Sequence, residues 1–151
     1  MKYLILILSI TIGLLTPLFA ENKGQPINIS SNQLTAENNF TKFSGAVKVS
    51  MGDYILTSDE LYVWYDKKGT IVKLIAKNNV KLINKNRIAV SNTAIFYKNS
   101  QKVILEGSPR IWEGNDEMKG KKIVLFLKKK KIIIKGASGI FSPQRLKNFK
   151  K

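Results

Sequence analysis

The sequence predicts an all-β fold, elongated and built from short strand repeats. Beyond residue 26, apolar residues recur mostly at every second position, as in half-buried strands, and stretches with a helical period are hard to find. The four prolines, at positions 17, 26, 109 and 143, fall mostly outside the predicted strands. A segment of the chain also repeats, and copies made only of strands and turns must share a core with their neighbours.

The first element, residues 1–20, is predicted to be a cleaved signal peptide. Lys2 precedes a long uncharged apolar stretch, and the small residue Ala20 stands directly before the expected cut at Glu21. Residues 3–20 are 18 uncharged residues in a row, near the lower limit for spanning a bilayer. An uncleaved membrane anchor is therefore the alternative.

The mature chain contains three segments that align with one another without gaps. They are residues 45–69, 78–102 and 107–131. Each segment opens on a glycine or asparagine, residues that tolerate a positive φ angle, and Gly136 continues the series 29 residues after the third start. The repeat predicts stacked copies with a common core.

Within the repeats, a motif of Ser, Asx, any residue and an apolar residue recurs. Its forms are Ser58-Asp59-x-Leu61, Ser91-Asn92-x-Ala94, the weaker Gly120-Lys121-x-Ile123, and Ser31-Asn32-x-Leu34 in an incomplete early copy. Because residues two apart in a strand share a face, parity then predicts which side chains point inward. The predicted inward residues are Val47, Val49, Leu56, Leu61, Val63, Leu82, Val90, Phe96, Ile111, Leu125 and Leu127.

The composition excludes several kinds of chemistry. The chain has no Cys and no His, so thiolate nucleophiles, disulfides, imidazole bases and the usual zinc and haem ligands are ruled out, and we predict no cofactor and no metal. Lys and Arg total 26 against 10 Asp and Glu, and the formal charge of +16 favours anionic partners. Nucleic acid would fit the charge and the interleaved aromatic residues, but the export signal argues against it, so no nucleic-acid partner is predicted.

Two acidic groups are candidates for a calcium site or a glycosidase pair. They are Glu113, Asp116 and Glu117, and the pair Asp59-Glu60. These positions coincide with turns of the repeat, where Asp and Asn side chains bond the local backbone. We therefore favour a structural role for both groups.

The run from Lys128 to Lys131 is predicted to be a polar turn between two strands. The repeat aligns it with residues 66–69 and 99–102, which are polar in the same way. Its charge also protects the following strand from uncontrolled edge pairing. Phosphate or membrane-surface binding by the run is the second hypothesis.

The segments "PINISSNQL", "FSGAVKVSMGDYILTSDELYV" and "LEGSPRIWEGNDEMKGKKI" carry a family resemblance. In this order and spacing the sequence resembles the OstA-like family from Pro26 to Gly136, and in length and layout it is similar to the family's periplasmic lipopolysaccharide-transport bridge members. The resemblance implies a slightly twisted open β-jelly roll of two antiparallel sheets around an apolar groove, with no enzymatic activity. We predict an OstA-like domain over residues 21–141 and a basic tail over 142–151.

The resemblance also implies partners. Such members bind lipopolysaccharide through the acyl chains of lipid A in the periplasm of Gram-negative cells. They self-associate end to end and link an inner-membrane ABC transporter complex, through its OstA-like anchor protein, to an outer-membrane translocon. Carried onto this chain, the groove would comprise Ile27, Ile29, Val47, Val49, Leu56, Leu61, Val63, Leu82, Val90, Phe96, Ile111 and Leu125, with Ile132, Ile133 and Ile134 as the assembly edge.

Two alternatives stay open on the sequence. An uncleaved N-terminal helix would indicate the membrane-anchored member of the same family. A β-solenoid that degrades polysaccharides would instead use paired Asp and Glu side chains, with carboxyl groups about 5 to 9 Å apart in a cleft.

Overall fold

Twelve β-strands and no helix make up residues 26–141, the part of the chain that the computed structural model describes. The predicted signal peptide, its alternative as an uncleaved anchor, and the predicted basic tail lie outside the described residues. The strands are β1 (Asn28–Ser30), β2 (Gln33–Ala36), β3 (Phe40–Met51), β4 (Tyr54–Tyr65), β5 (Ile71–Asn84), β6 (Arg87–Tyr97), β7 (Lys102–Glu106), β8 (Arg110–Glu113), β9 (Asp116–Lys119), β10 (Lys122–Phe126), β11 (Lys131–Lys135) and β12 (Ser138–Ile140).

Every strand pairing is antiparallel, and the four long strands β3 to β6 run side by side in chain order. Each long strand bends midway. The register shifts between Ser44 and Val47 in β3 and between Lys77 and Val80 in β5. The two halves of β6 pair with different strands. Before the bend, residues 87–90 pair with β8, and after it, residues 93–97 pair with β7.

The bends divide the hydrogen-bonded sheet into two layers. The first layer has the order β1-β3-β4-β5-β6-β8-β9-β12, and the second has the order β2-β3-β4-β5-β6-β7-β10-β11. The layers are open at both edges, because β1, β2, β11 and β12 each pair with one strand only.

The two layers pack against each other around one core. Val49 and Leu82 of the first layer belong to the same buried cluster as Leu61, Phe96 and Leu125 of the second. Burying a side chain of this size stabilises the fold by about 1.5–3 kcal/mol. The predicted all-β, open jelly-roll class is confirmed, and the two predicted sheets are halves of one sheet that the bends fold over.

The repeat motifs form these bends, which we call corners. Gly45, Asn78, Gly107 and Gly136, at the repeat starts, all have positive φ, at 78°, 65°, 79° and 63°. At two of the corners, the Asx residue of the Ser-Asx motif bonds to the residue with positive φ: the Asn92 N–H donates to the Gly107 carbonyl at 3.1 Å, and the Asn32 N–H donates to the Gly45 carbonyl at 2.9 Å.

The serine of the motif holds the inner side of the corner. The Ser58 hydroxyl donates to the Glu60 carbonyl at 2.9 Å, and the Ser91 hydroxyl donates to the Thr93 carbonyl at 3.0 Å. Both serines are buried, so these bonds satisfy polar groups that would otherwise be costly to bury. The motif therefore provides the backbone partners of a corner that ordinary strand pairing leaves open.

The corners correct one predicted inward residue, Val90. Counting back from the buried Phe96 in steps of two predicts that Val90 points inward. At the corner, however, Ser91 and Ala94 lie on the same face although they are three residues apart. Alternation is therefore displaced by one residue. Val90 pairs with the exposed Lys81 on the outer face, and Ala89, which is 3% exposed, takes the inward place.

A candidate apolar groove

An apolar groove lies between the two layers. It encloses about 50 Å³. Its lining side chains are Ile27, Val49, Met51, Tyr54, Leu56, Leu61, Leu74, Ala76, Leu82, Ala94, Phe96, Val103 and Leu127. Among these, the Tyr54 hydroxyl is the one polar side-chain group apart from the soft Met51 sulfur. The groove suits an aliphatic ligand and offers no group for acid–base chemistry.

Bends and alternation together determine how the lining is assembled. In β5, Leu74 and Ala76 precede the corner, and Leu82 follows it. Because the corner of β5 preserves parity, all three side chains face the space between the layers. One strand thus contributes to both walls.

Six of the twelve predicted groove residues line this space. They are Ile27, Val49, Leu56, Leu61, Leu82 and Phe96. Val47, Val63, Ile111 and Leu125 are buried in the core beside it, and Ile29 packs against that core. Val90 faces outward, as described above.

Six lining residues were missed from the sequence: Met51, Tyr54, Leu74, Ala76, Ala94 and Val103. Leu74 and Ala76 fall between two copies of the repeat, so the repeat alignment does not include them. Parity counted back from Leu82 would have identified both. Ala94 occupies the motif position that Leu61 holds in the preceding copy, so the repeat alignment also predicts that Ala94 points inward.

A second cleft, of about 270 Å³, adjoins the groove at its open side and shares Tyr54, Leu82 and Leu127 with it. We call it the mouth cleft. Its other lining residues are Asn84, Lys85, Asn86, Arg87, Ala89, Leu125, Phe126, Lys130, Lys131 and Ile132. Residues of the first layer and of the second layer thus face each other across it, and four of them are cationic.

The predicted acidic groups have structural partners. Glu113 accepts a hydrogen bond from the Arg87 guanidinium at 3.1 Å, and Glu117 lies 3.6 Å from the Arg110 guanidinium. Asp59 accepts a hydrogen bond from the Asn79 amide at 2.8 Å. In the described part of the chain, no group of three or more acidic residues could hold a metal ion.

The pair of Lys42 and Glu60 is a cross-strand ion pair, with Nζ and Oε1 2.8 Å apart. The hydrogen bond from Lys42 lowers the pKa of Glu60 below its ordinary value of 4.5, and the same bond raises the pKa of Lys42. Tyr62 joins the pair, with its ring 5.5 Å from the Lys42 ammonium. Glu60 therefore belongs to the outer surface of the sheet and not to a reaction centre.

The predicted assembly edge lies on an edge strand. β11 is the last strand of the second layer, where Ile132 and Ile134 are half-buried and Ile133 is 38% exposed. The opposite edge is formed by β1, which carries Ile29, and by β2, which carries Leu34 with 57% of its surface exposed. No helix within residues 26–141 is long and apolar enough to cross a membrane.

Comparison with known proteins identifies the family. The family model described as "LptA/(LptD N-terminal domain) LPS transport protein" matches residues 27–131, more than half of the chain. No curated protein matches the sequence.

A solved structure shows the same fold. It is LptH from Pseudomonas aeruginosa, described as the LptA homologous periplasmic component of the conserved lipopolysaccharide transport device. The TM-score is 0.71 at 16% identity, over 79% of this chain and 96% of that one. The antiparallel topology also excludes the alternative of a β-solenoid enzyme. The chain therefore belongs to the OstA-like family of LptA and the LptD N-terminal domain, and it is a lipopolysaccharide transport protein and not an enzyme.

Proposed function

We propose that this protein is a periplasmic carrier that binds lipopolysaccharide by taking acyl chains of lipid A into the groove between the layers. The observation that carries the proposal is the groove lining, which is apolar on both walls. The likeness to LptH, a periplasmic component, supports the compartment. The predicted cleaved signal peptide provides the route of export.

Burial of acyl chains would provide the binding energy, at about 0.8 kcal/mol for each buried CH₂ group. The groove encloses only about 50 Å³, whereas a single water already needs roughly 10–15 Å³ on such a measure. An acyl chain therefore enters by separating the layers or displacing lining side chains. The open side of the jelly roll permits this, because no strand joins the layers there.

End-to-end stacking is the second part of the proposal. Strand edges at β1 and β2 and at β11 and β12 stand at opposite ends of both layers. Unpaired edge groups can add a strand from another chain. Stacked copies would link the OstA-like anchor of the inner-membrane ABC transporter complex with the outer-membrane translocon, so that the groove of one copy continues into the next.

Photo-crosslinking tests the groove. A photoreactive phenylalanine analogue at position 54, which lines the groove, should crosslink to lipopolysaccharide in exporting cells. The matched control is position 97, because Tyr97 is also a half-buried tyrosine but lies on the outer face, under Lys102. Both replacements keep an aromatic side chain, so the fold is preserved.

The expected result is a lipopolysaccharide adduct at position 54 that is absent at position 97. Equal adducts at both positions, or none at position 54 with the protein folded and exported, would contradict acyl binding in the groove.

A further inference from the structure

The charges around the open side of the jelly roll are unevenly distributed between the layers. In the second layer, the hairpin turns at residues 66–70, 98–101 and 127–130 carry six lysines. Asp66, the acidic residue of these three turns, accepts hydrogen bonds from the backbone N–H groups of Lys68 and Thr70. The hairpin turn between β2 and β3, at residues 37–39, carries Glu37 as its charge. In the first layer, the turns at 52–53, 85–86 and 114–115 carry Asp53 and Lys85 as their charges.

These two rows of turns border the open side, because the corners join the layers on the other side. The mouth cleft lies between them, and it is lined by residues 84–87 of the first layer and by Lys130 and Lys131 of the second. A ligand that leaves the groove on this side passes the lysine-rich turns.

The cations of the mouth cleft differ in their partners. The Arg87 guanidinium pairs with Glu113, and Lys85 lies 3.5 Å from Asp53. Within residues 26–141, no acidic side chain pairs with Lys130 or Lys131, and the buried Nε of Arg87 has no hydrogen-bond partner. The amides of Asn84 and Asn86 add further donors to the lining.

The cleft is continuous with the groove, since three side chains line both. One ligand can therefore contact both, if it carries an aliphatic part next to an anionic part. Phosphate is the anion that fits, because it accepts several hydrogen bonds at once and pairs with both Lys and Arg.

We propose that the mouth cleft binds a phosphate group of the same amphiphile whose acyl chains occupy the groove, with Lys130 and Lys131 as its cationic contacts. This inference rests on the proposed function and specifies the headgroup. The lysine run is then both the β10–β11 turn and one wall of the headgroup site.

The test measures binding of two lipids to the exported chain. One lipid is lipid A with both phosphates, and the other is the same lipid without phosphates. The variant is K130Q together with K131Q. The control is K48Q together with K81Q, which removes the same charge from exposed positions on the outer face of the first layer.

The variant should bind phosphorylated lipid A about tenfold more weakly, because two solvent-facing charge pairs are lost, each contributing a few-fold. Binding of the phosphate-free lipid should stay unchanged, and the control should bind both lipids as the wild type does. Inorganic phosphate alone should bind only at millimolar concentrations or above, because it lacks the acyl contacts.

Each of the following outcomes would overturn the inference. Equal losses for both lipids would show that the lysines act on the fold or the acyl site. An equal loss in the control would reduce the effect to overall charge. Micromolar binding of inorganic phosphate would assign the cleft to the free ion. A wild-type chain that binds neither lipid would refute the proposed function as well, whereas one that binds both lipids equally refutes only the headgroup site.

Discussion

Gly107 shows at the scale of one residue why the corners need particular residue types. Its φ of +79° lies in the left-handed region, and a Cβ on this residue would stand 2.5 Å from the Cβ of Asn92. The Cβ of Asn92 cannot retreat freely, because the backbone N–H of Asn92 is bonded to the Gly107 carbonyl. Both the conformation and the close approach therefore require glycine at this position.

We expect Gly107→Ala to destabilise the protein by about 2–5 kcal/mol. Left-handed strain contributes about 1–2 kcal/mol, and overpacking against Asn92 adds about 1–3 kcal/mol. Chemical denaturation of the variant and the wild type measures the difference.

Gly69→Ala is the matched control, because Gly69 has the same φ of +79° but nothing within 4 Å of the methyl group that alanine would add. It should cost only the strain, about 1–2 kcal/mol. Equal losses for the two variants would show that the contact with Asn92 is unimportant for the corner.

The hairpin turns show at the scale of elements what the copies of the repeat have in common. Gln101 in the β6–β7 turn and Lys130 in the β10–β11 turn have φ of 48° and 49°, and the repeat aligns their surroundings. The turn predicted for Lys128 to Lys131 is confirmed for Lys128 to Lys130, which lie in the connection between β10 and β11, whereas Lys131 is the first residue of β11. A four-residue turn that ends on a residue with positive φ thus occurs in both places with different side chains.

Replacing Lys128, Lys129 and Lys130 by Asn, Ser and Gln, the residues at 99–101, should leave the free energy of unfolding within about 0.5 kcal/mol of the wild type. Gln101 and Lys130, the last residues of the two turns, have nearly the same positive φ, and the lysines make no ion pair in the described part of the chain. Thermal and denaturant unfolding measure this. A loss above about 1 kcal/mol would mean that the lysines stabilise the fold as well as the turn.

The sequence predicts the strands and the corner residues of this fold, but not the parity shift in β6. Alternation predicted strands because each strand has one face on the core, and the repeat predicted the residues with positive φ because the corners recur. Alternation could not predict the parity shift at Ser91, since that shift arises from hydrogen bonds across the corner. Alternation therefore predicts an inward Val90, whereas the smaller Ala89 takes the inward place in the structure.

The groove itself was only partly predictable. Large apolar residues such as Leu56 and Leu82 predict burial. The sequence does not distinguish a side chain that is packed on all sides from one that lines a groove. The small residues Ala76 and Ala94 leave room for the space, and this effect is visible only once the two layers face each other in the structure. The mouth cleft brings residues 84–87 to Lys130 and Lys131, which are far away along the chain, and no spacing in the sequence indicates that approach.

At the scale of the whole molecule, the exposed large apolar side chains lie at the sheet edges or just beyond them. They are Leu34 on β2, Ile133 on β11, Ile140 on β12 and Phe141 directly after it. Leu34 and Ile133 belong to the same layer, on its two opposite edge strands. A head-to-tail contact between copies would cover both and would continue each layer into the next copy.

A pair of edge variants tests this arrangement. Leu34→Lys should block the β2 edge, and Ile133→Lys should block the β11 edge, because a charged side chain on an edge strand opposes pairing. We expect the wild type to form long, concentration-dependent oligomers in light scattering, and each variant alone should lose them. Mixed in equal amounts, the two should form dimers and nothing larger, since each variant retains the one edge that the other has lost. Asn99→Lys, in an exposed turn away from the edges, is the control and should assemble like the wild type. Two variants that stay monomeric when mixed, or either variant that still forms long oligomers alone, would contradict head-to-tail stacking through these strands.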